Sequence, residues 1–129
     1  MSANQAAAQK VPQQIMAAWA DHNADAFADV FTEDATLILP GNLFLKSREE
    51  IRSHMKSAFA GPYKGTRVFG EPVNVRAISN DVTVLTTQGG VLAPGETEVA
   101  PERAIWATWV VVATEAGPRL ASYQNTPKI

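Results

Sequence analysis

The sequence contains no cysteine among its 129 residues. That excludes disulfides, thiolate metal sites and a cysteine nucleophile, and makes a cytoplasmic location the simplest expectation. Charge is scarce as well: Asp, Glu, Lys and Arg make up 19% of the chain and the net charge is -2. Without a basic footprint, no nucleic-acid partner is expected. Histidine occurs only at His22 and His54, far apart and without clustered carboxylates, so no metal site is expected. No apolar run approaches the roughly 20 residues that span a bilayer, so no membrane association is expected. The opening "MSANQAAAQK" lacks the basic start and apolar stretch of a secretory signal. There is no internal repeat. The glycines in "QGG" and "PGE" do not open helices, so a phosphate cradle is not expected, nor is any cofactor. Aspartate is missing altogether after Asp81.

What is present fits one domain. Apolar residues form 46% of the chain, enough for a core without staples. Residues 1–10 are small and polar and read as a flexible segment; residues 11–129 read as one domain. Pro12 suits a first helical turn. Val11, Ile15, Ala18, Trp19 and His22 then recur at helical spacing. Asn23 reads as the cap of a second short helix carrying Phe27, Val30 and Phe31 on one face. "EDATLILP" reads as a strand ended by Pro40-Gly41, followed by a short apolar piece at Leu43 to Leu45. Ser47 and Glu50 form a capping box, which opens a helix with Ile51, Met55, Ala58 and Phe59 on one side. Everything after Gly61-Pro62 reads as strand. "TRVFGEPVNVRAI" is expected to be long and bent around Gly70 and Pro72. "VTVLTTQGGVLA", "RAIWATWVVVATE" and "RLASYQNT" follow. Helices first and strands afterwards imply an α+β domain with helices on one face of a mostly antiparallel sheet.

One strand is apolar on both faces. Between Ala104 and Ala113, one parity gives Trp106, Thr108 and Val110; the other gives Ile105, Trp109 and Val111. A strand with one wet face should alternate. With Trp106 and Thr108 taken as inward, Ile105, Trp109 and Val111 become an outer face that a second subunit would cover, in a twofold homodimer. A loop or terminus folding over is the alternative.

The segment "NADAFADVFTEDATLILPG", followed by "SREEIRSHMKSAF" and closing on "LASYQNT", resembles the nuclear transport factor two-like superfamily over nearly the whole chain. It is most similar to the SnoaL-like branch that holds the SgcJ/EcaC group, some members of which act in enediyne polyketide biosynthesis; "YQNT" is similar to that group's ending. The resemblance implies a cone-shaped roll, with helices on the concave face of a curved sheet, a pocket between them and a dimer through the convex face. Ketosteroid isomerase, a member, uses an aspartate base with a tyrosine and a protonated aspartate as oxyanion hole. The resemblance places its base at Leu39, its tyrosine at Ile15 and its second aspartate near Thr108. Leu39 cannot accept a proton and Ile15 cannot donate a hydrogen bond, so isomerase chemistry by that route is not expected. The late-strand aspartate of the related cyclases has no counterpart either.

Other residues remain as candidates. His54, beside the apolar stripe of its helix, has the intrinsic range for proton transfer; it is equally a core-edge histidine. Asp34 could orient it, or hold a turn. Trp19, Leu39 and Trp106 would wall a pocket or fill a core. Thr108 is taken as inward beside Trp106, and Thr86, Gln88, Ser122 and Gln124 are neutral polar groups that, turned inward, would need a ligand, water or each other. With the opposite parity they would lie at the dimer contact or in solvent. Glu102 and Arg103 would pair at the pocket rim. Three functions are open, the last of them an assembly domain with a filled cone and no ligand. The first is a cofactor-free cyclase, isomerase or dehydratase acting on a polyene or polyketide intermediate. The second is a non-catalytic carrier of such a molecule, or an accessory docked on a polyketide synthase.

Overall fold

The computed structural model describes residues 3–129. Helices α1 (Ala3–Ala8), α2 (Val11–Ala20) and α3 (Ala24–Asp29) lead into strands β1 (Phe31–Leu39) and β2 (Leu43–Leu45). Helix α4 (Arg48–Ala60) follows, and then the long strands β3 (Arg67–Ala77), β4 (Val82–Leu92), β5 (Ala104–Thr114) and β6 (Gly117–Pro127). The strands form one six-stranded sheet in the order β2-β1-β6-β5-β4-β3. All neighbours are antiparallel except β1 and β6, which run parallel. The domain is α+β, with the helices packed on one face of a curved sheet. Among the described residues, no helix is long and apolar enough to cross a membrane.

Local chemistry fixes the helix ends. Asn23 accepts a hydrogen bond from the Ala26 amide at 3.0 Å and so starts α3. Ser47 accepts from the Glu50 amide at 3.1 Å and starts α4. The reciprocal bond of the capping box reaches one residue further back, from the Lys46 amide to Glu50 Oε1 at 3.2 Å. Two short helices with little intrinsic stability are joined by one arginine: Arg52 on α4 bonds Asp25 at 2.8 Å and Asp29 at 3.1 Å on α3, and Glu49 at 3.1 Å on its own helix. Arg48 donates through Nε and Nη2 to the Phe31 carbonyl at 3.0 and 2.6 Å, tying α4 to the start of β1.

The core lies between the helices and the concave face. Trp19, Phe27 and Phe59 meet edge to face, with Trp19 and Phe59 ring centres 5.5 Å apart. Ile15, Ile51, Met55, Leu85, Trp109, Val111 and Leu120 complete it.

Two expectations change at the N-terminal end. The segment 1–10 was expected to be flexible. Residues 3–8 instead form α1, Ala8 is buried, and the Asn4 side chain donates to the Asn80 carbonyl. Met1 and Ser2 lie outside the described residues. Phe31 was placed on the second helix face but begins β1, because α3 stops at Asp29.

The larger correction concerns parity. In β5 the inward set is Ala107, Trp109 and Val111, all buried, while Trp106 is 43% exposed and Thr108 is exposed. Ile105, Trp109 and Val111 therefore serve the core and cavity of their own chain and cannot form an outer face. The outer face carries Trp106, Thr108 and Val110 instead. The expected bend in β3 is present as a register shift between Pro72 and Asn74.

Candidate ligand pocket

The cone between α2, α4 and the concave sheet encloses a cavity of about 420 Å³, within the usual range of small-molecule sites. Its wall is chiefly apolar: Ile15, Met16 and Trp19 from α2, Leu37 and Leu39 from β1, Val68 and Val91 from β3 and β4. Trp109 stands on the sheet side, edge-on to Tyr123 with ring centres 4.8 Å apart. The β3–β4 contact needs glycine here, since a Cβ at Gly89 would sit 1.9 Å from the Phe69 carbonyl oxygen.

Polar groups inside are few and neutral. Trp109 Nε1 donates to Thr87 Oγ1 at 2.8 Å, both buried. Trp19 Nε1 donates to Thr66 Oγ1 at 2.9 Å, and Thr66 in turn donates to the Tyr63 carbonyl at 2.6 Å. Asn125 Nδ2 donates to the Tyr123 hydroxyl at 3.0 Å. Asn125 Oδ1 is buried and has no partner among the described residues. Burial pushes the Tyr123 phenol up to about 12; the Asn125 hydrogen bond opposes this, and the Tyr63 phenol adds slightly to it.

Charge is confined to the rim. Glu102 and Arg103 line the cavity with side chains 72% and 35% exposed, and they approach at 3.9 Å. Arg103 is held more closely by Glu96, and it also donates to the Val91 carbonyl. Glu96 further accepts from the Ala93 amide, and Arg67 donates to its carbonyl. The loop "PGETEVAPE" is thereby stapled beside the cavity. The Arg103 guanidinium holds the Glu96 carboxyl below its ordinary range.

Three of the expected site residues line this cavity: Trp19, Leu39 and His54. The others do not. Asp34 is exposed on β1, where its Oδ1 accepts from the Thr32 hydroxyl at 3.1 Å, so the structure does not bring it to His54. Thr86, Trp106, Thr108, Ser122 and Gln124 all lie on the outer face. Thr86, Thr108 and Gln124 are cross-strand neighbours there, and Ser122 Oγ meets Thr36 Oγ1 at 3.0 Å. Trp106 is covered by the Lys128 ammonium, 4.2 Å from its ring centre. His22 is structural: its Nε2 accepts from the Gly65 amide at 3.0 Å, and its ring lies 5.1 Å from Phe59.

The polar groups that sequence reasoning missed are Thr87, Tyr123 and Asn125. Each is one residue away from a candidate that was chosen, so the correct strand parity would have found them. In β6 the parity is further disturbed by a register shift opposite Val110 and Val111, which turns both Leu120 and Tyr123 inward.

Helices on a curved mixed sheet, closing over an apolar cone, define the cystatin-like or nuclear transport factor two-like class. The chain belongs to the SnoaL-like domain family, whose model matches residues 13–121. A search of curated proteins finds no significant match. Among solved structures, a domain of unknown function from Nostoc punctiforme is 29% identical, with a TM-score of 0.90 over 100% of this chain and 80% of that one. An NTF2-like protein from Novosphingobium aromaticivorans is 17% identical, with a TM-score of 0.82 over 97% of this chain and 82% of that one. A ketosteroid isomerase-like protein from Erwinia carotovora atroseptica is also 17% identical, with a TM-score of 0.76 over 100% and 99% of the two chains.

Proposed function

We propose that this chain is a pocket protein for a small, uncharged, largely apolar organic molecule, of the kind met as a polyketide or polyene intermediate in natural-product biosynthesis. The observation that carries the reading is the cavity of about 420 Å³, enclosed by apolar side chains. Close-packed cores do not leave such space. A site for a charged metabolite would need an opposite charge or a dense set of donors at depth. The polar residues buried as a whole, among the described ones, are Thr66, Thr83 and Thr87, and none of them carries a charge. Membership of the SnoaL-like family and the fold shared with a ketosteroid isomerase-like protein support a small-molecule role.

His54 supports a catalytic version: a cofactor-free cyclase, isomerase or dehydratase. Its imidazole lines the cavity and has no hydrogen-bond or ion-pair partner among the described residues, which leaves both ring nitrogens available to a bound ligand. Folding a flexible chain into one reactive conformation would supply much of the rate, with His54 moving the proton. A carrier or synthase-accessory role is the second reading. It is favoured by the neutrality of the deepest polar groups, Thr87, Tyr123 and Asn125, which bind without moving protons.

The test is thermal shift and tryptophan quenching against a panel of conjugated polyenes, with wild type, Trp109→Phe, Trp106→Phe and His54→Ala. Binding should quench wild type and Trp106→Phe, and in Trp109→Phe the quenching that remains should come from Trp19, the other tryptophan of the wall. If His54→Ala binds normally but a coupled synthase assay loses its cyclised product, the catalytic version stands. If binding and product both survive, the carrier reading replaces it. No binding by any polyene would sink the pocket reading itself.

A further inference from the structure

We infer that Tyr123 and Asn125 form a head-group subsite selecting an uncharged carbonyl that carries its own hydrogen-bond donor, of the amide or lactam kind, over the corresponding carboxylate. The inference rests on the reading of the cone as a ligand pocket and deepens it.

The argument is one of unspent hydrogen bonds. Asn125 Nδ2 donates to the Tyr123 oxygen at 3.0 Å, which uses a lone pair of the phenol and leaves its proton unused. Asn125 Oδ1, on the same amide, is a buried acceptor with no partner among the described residues. One donor and one acceptor therefore lie side by side. Turning the amide over would exchange their positions without changing the count: the phenol proton would go to Oδ1, leaving the amide hydrogens and a phenol lone pair unspent. Unpartnered buried polar atoms are rare and need a reason. A ligand that completes them is such a reason.

Charge decides the ligand class. Burial keeps the Tyr123 phenol protonated, with its titration pushed up to about 12. The charged residues of the lining, Glu102 and Arg103, stand at its rim with side chains 72% and 35% exposed, and Arg103 is already engaged by Glu96. A carboxylate at Tyr123 would lose its hydration and face the Asn125 oxygen, acceptor against acceptor. An amide in the same place takes the phenol proton on its carbonyl and gives its N–H to Oδ1. The ring edge between Trp109 and Tyr123 and the aliphatic wall then leave an apolar, flat or conjugated body for the rest of the molecule.

The test uses the full chain and three probes of one size: 2-naphthamide, 2-acetylnaphthalene and 2-naphthoate, titrated by calorimetry. The amide is expected to bind about tenfold more tightly than the ketone, the worth of one satisfied hydrogen bond, and the carboxylate is expected to be weakest. Asn125→Leu should erase the amide's advantage while the ketone binds as before. Tyr123→Phe should weaken amide and ketone alike, and it serves as the independent variant if Asn125→Leu does not fold. Equal affinities for amide and ketone in the wild type, or an advantage that survives Asn125→Leu, would overturn the subsite and leave the pocket standing. Failure of all three probes to bind would overturn both.

Discussion

Trp109 donates its indole N–H to the Thr87 hydroxyl at 2.8 Å, across the β4–β5 pair and beneath the floor of the cavity. Thr87 is 2% exposed and Trp109 5%, so neither group has water as a substitute partner. Thr87→Val keeps the shape and leaves the indole N–H unpaired. The expected cost is about 1–3 kcal/mol of folding stability, read from urea unfolding followed by tryptophan emission. A loss below about 0.5 kcal/mol would mean that the bond is satisfied in some other way.

Much of this architecture was legible in the sequence, because local signals agree with the global fold. Asn23 and Ser47 announced their helices by side-chain chemistry alone, and the two-sided apolarity of β5 belongs to a strand inside the sheet, between β6 and β4. The grouping of outer-face residues was legible too. Thr86, Thr108, Ser122 and Gln124 do share one face of the sheet. Which face they share was not legible. An apolar strand with tryptophan on both parities gives period-2 reasoning nothing to choose by, and a single wrong choice moved every candidate from Tyr123, Asn125 and Thr87 to their neighbours. The parallel pairing of β1 with β6 escaped for a different reason: it joins residues 86 positions apart, as in Thr36 and Ser122, and no local pattern encodes it.

Tyr123 makes the fold sensitive to alkali. Its phenol is raised from an ordinary 10.0 to about 12 by burial. The folded state therefore holds a proton that the unfolded state releases. Stability from this group is complete below pH 10 and is lost as pH rises through 12, amounting to about 2–3 kcal/mol in all. Tyrosinate absorbance at 295 nm should show one phenol titrating late, together with alkaline unfolding. Tyr123→Phe should remove that steep loss. A wild-type unfolding curve that superimposes on the variant's between pH 10 and 12 would contradict the assignment.

The Arg52 clamp should matter at neutral pH and fade in acid. Its hydrogen bond to Asp25 holds that carboxyl below the ordinary carboxylate range. A lowered carboxylate stabilises the fold above its unfolded value and ceases to do so as pH falls through the folded one. Arg52→Ala should thus melt below wild type at pH 7, and the gap should close below about pH 4. The pairs are exposed on their acidic side, so the gap should also narrow in 1 M salt. A gap insensitive to both pH and salt would instead assign the loss to packing of the arginine stem between α3 and α4.

The outer face bears on assembly. Trp106 is 43% exposed there, beside Thr108 and Val110, with Thr86, Ser122 and Gln124 around them. These neighbours are uncharged, and the one cation over the ring, Lys128, is held by Gln88 at 2.8 Å and would have to swing aside for like faces to meet about a twofold axis. We propose that a second copy of the chain covers this face, which would account for a strand apolar on both sides. Trp106→Lys adds a second cation beside Lys128 and removes the ring at the centre of that contact, while leaving the cavity wall, which is built on the opposite parity, untouched. Light scattering after gel filtration should give a dimer for wild type and a monomer for the variant, and probe binding in the cone should persist in both. A monomeric wild type would refute the contact. A dimer that survives Trp106→Lys would move the interface elsewhere on the molecule.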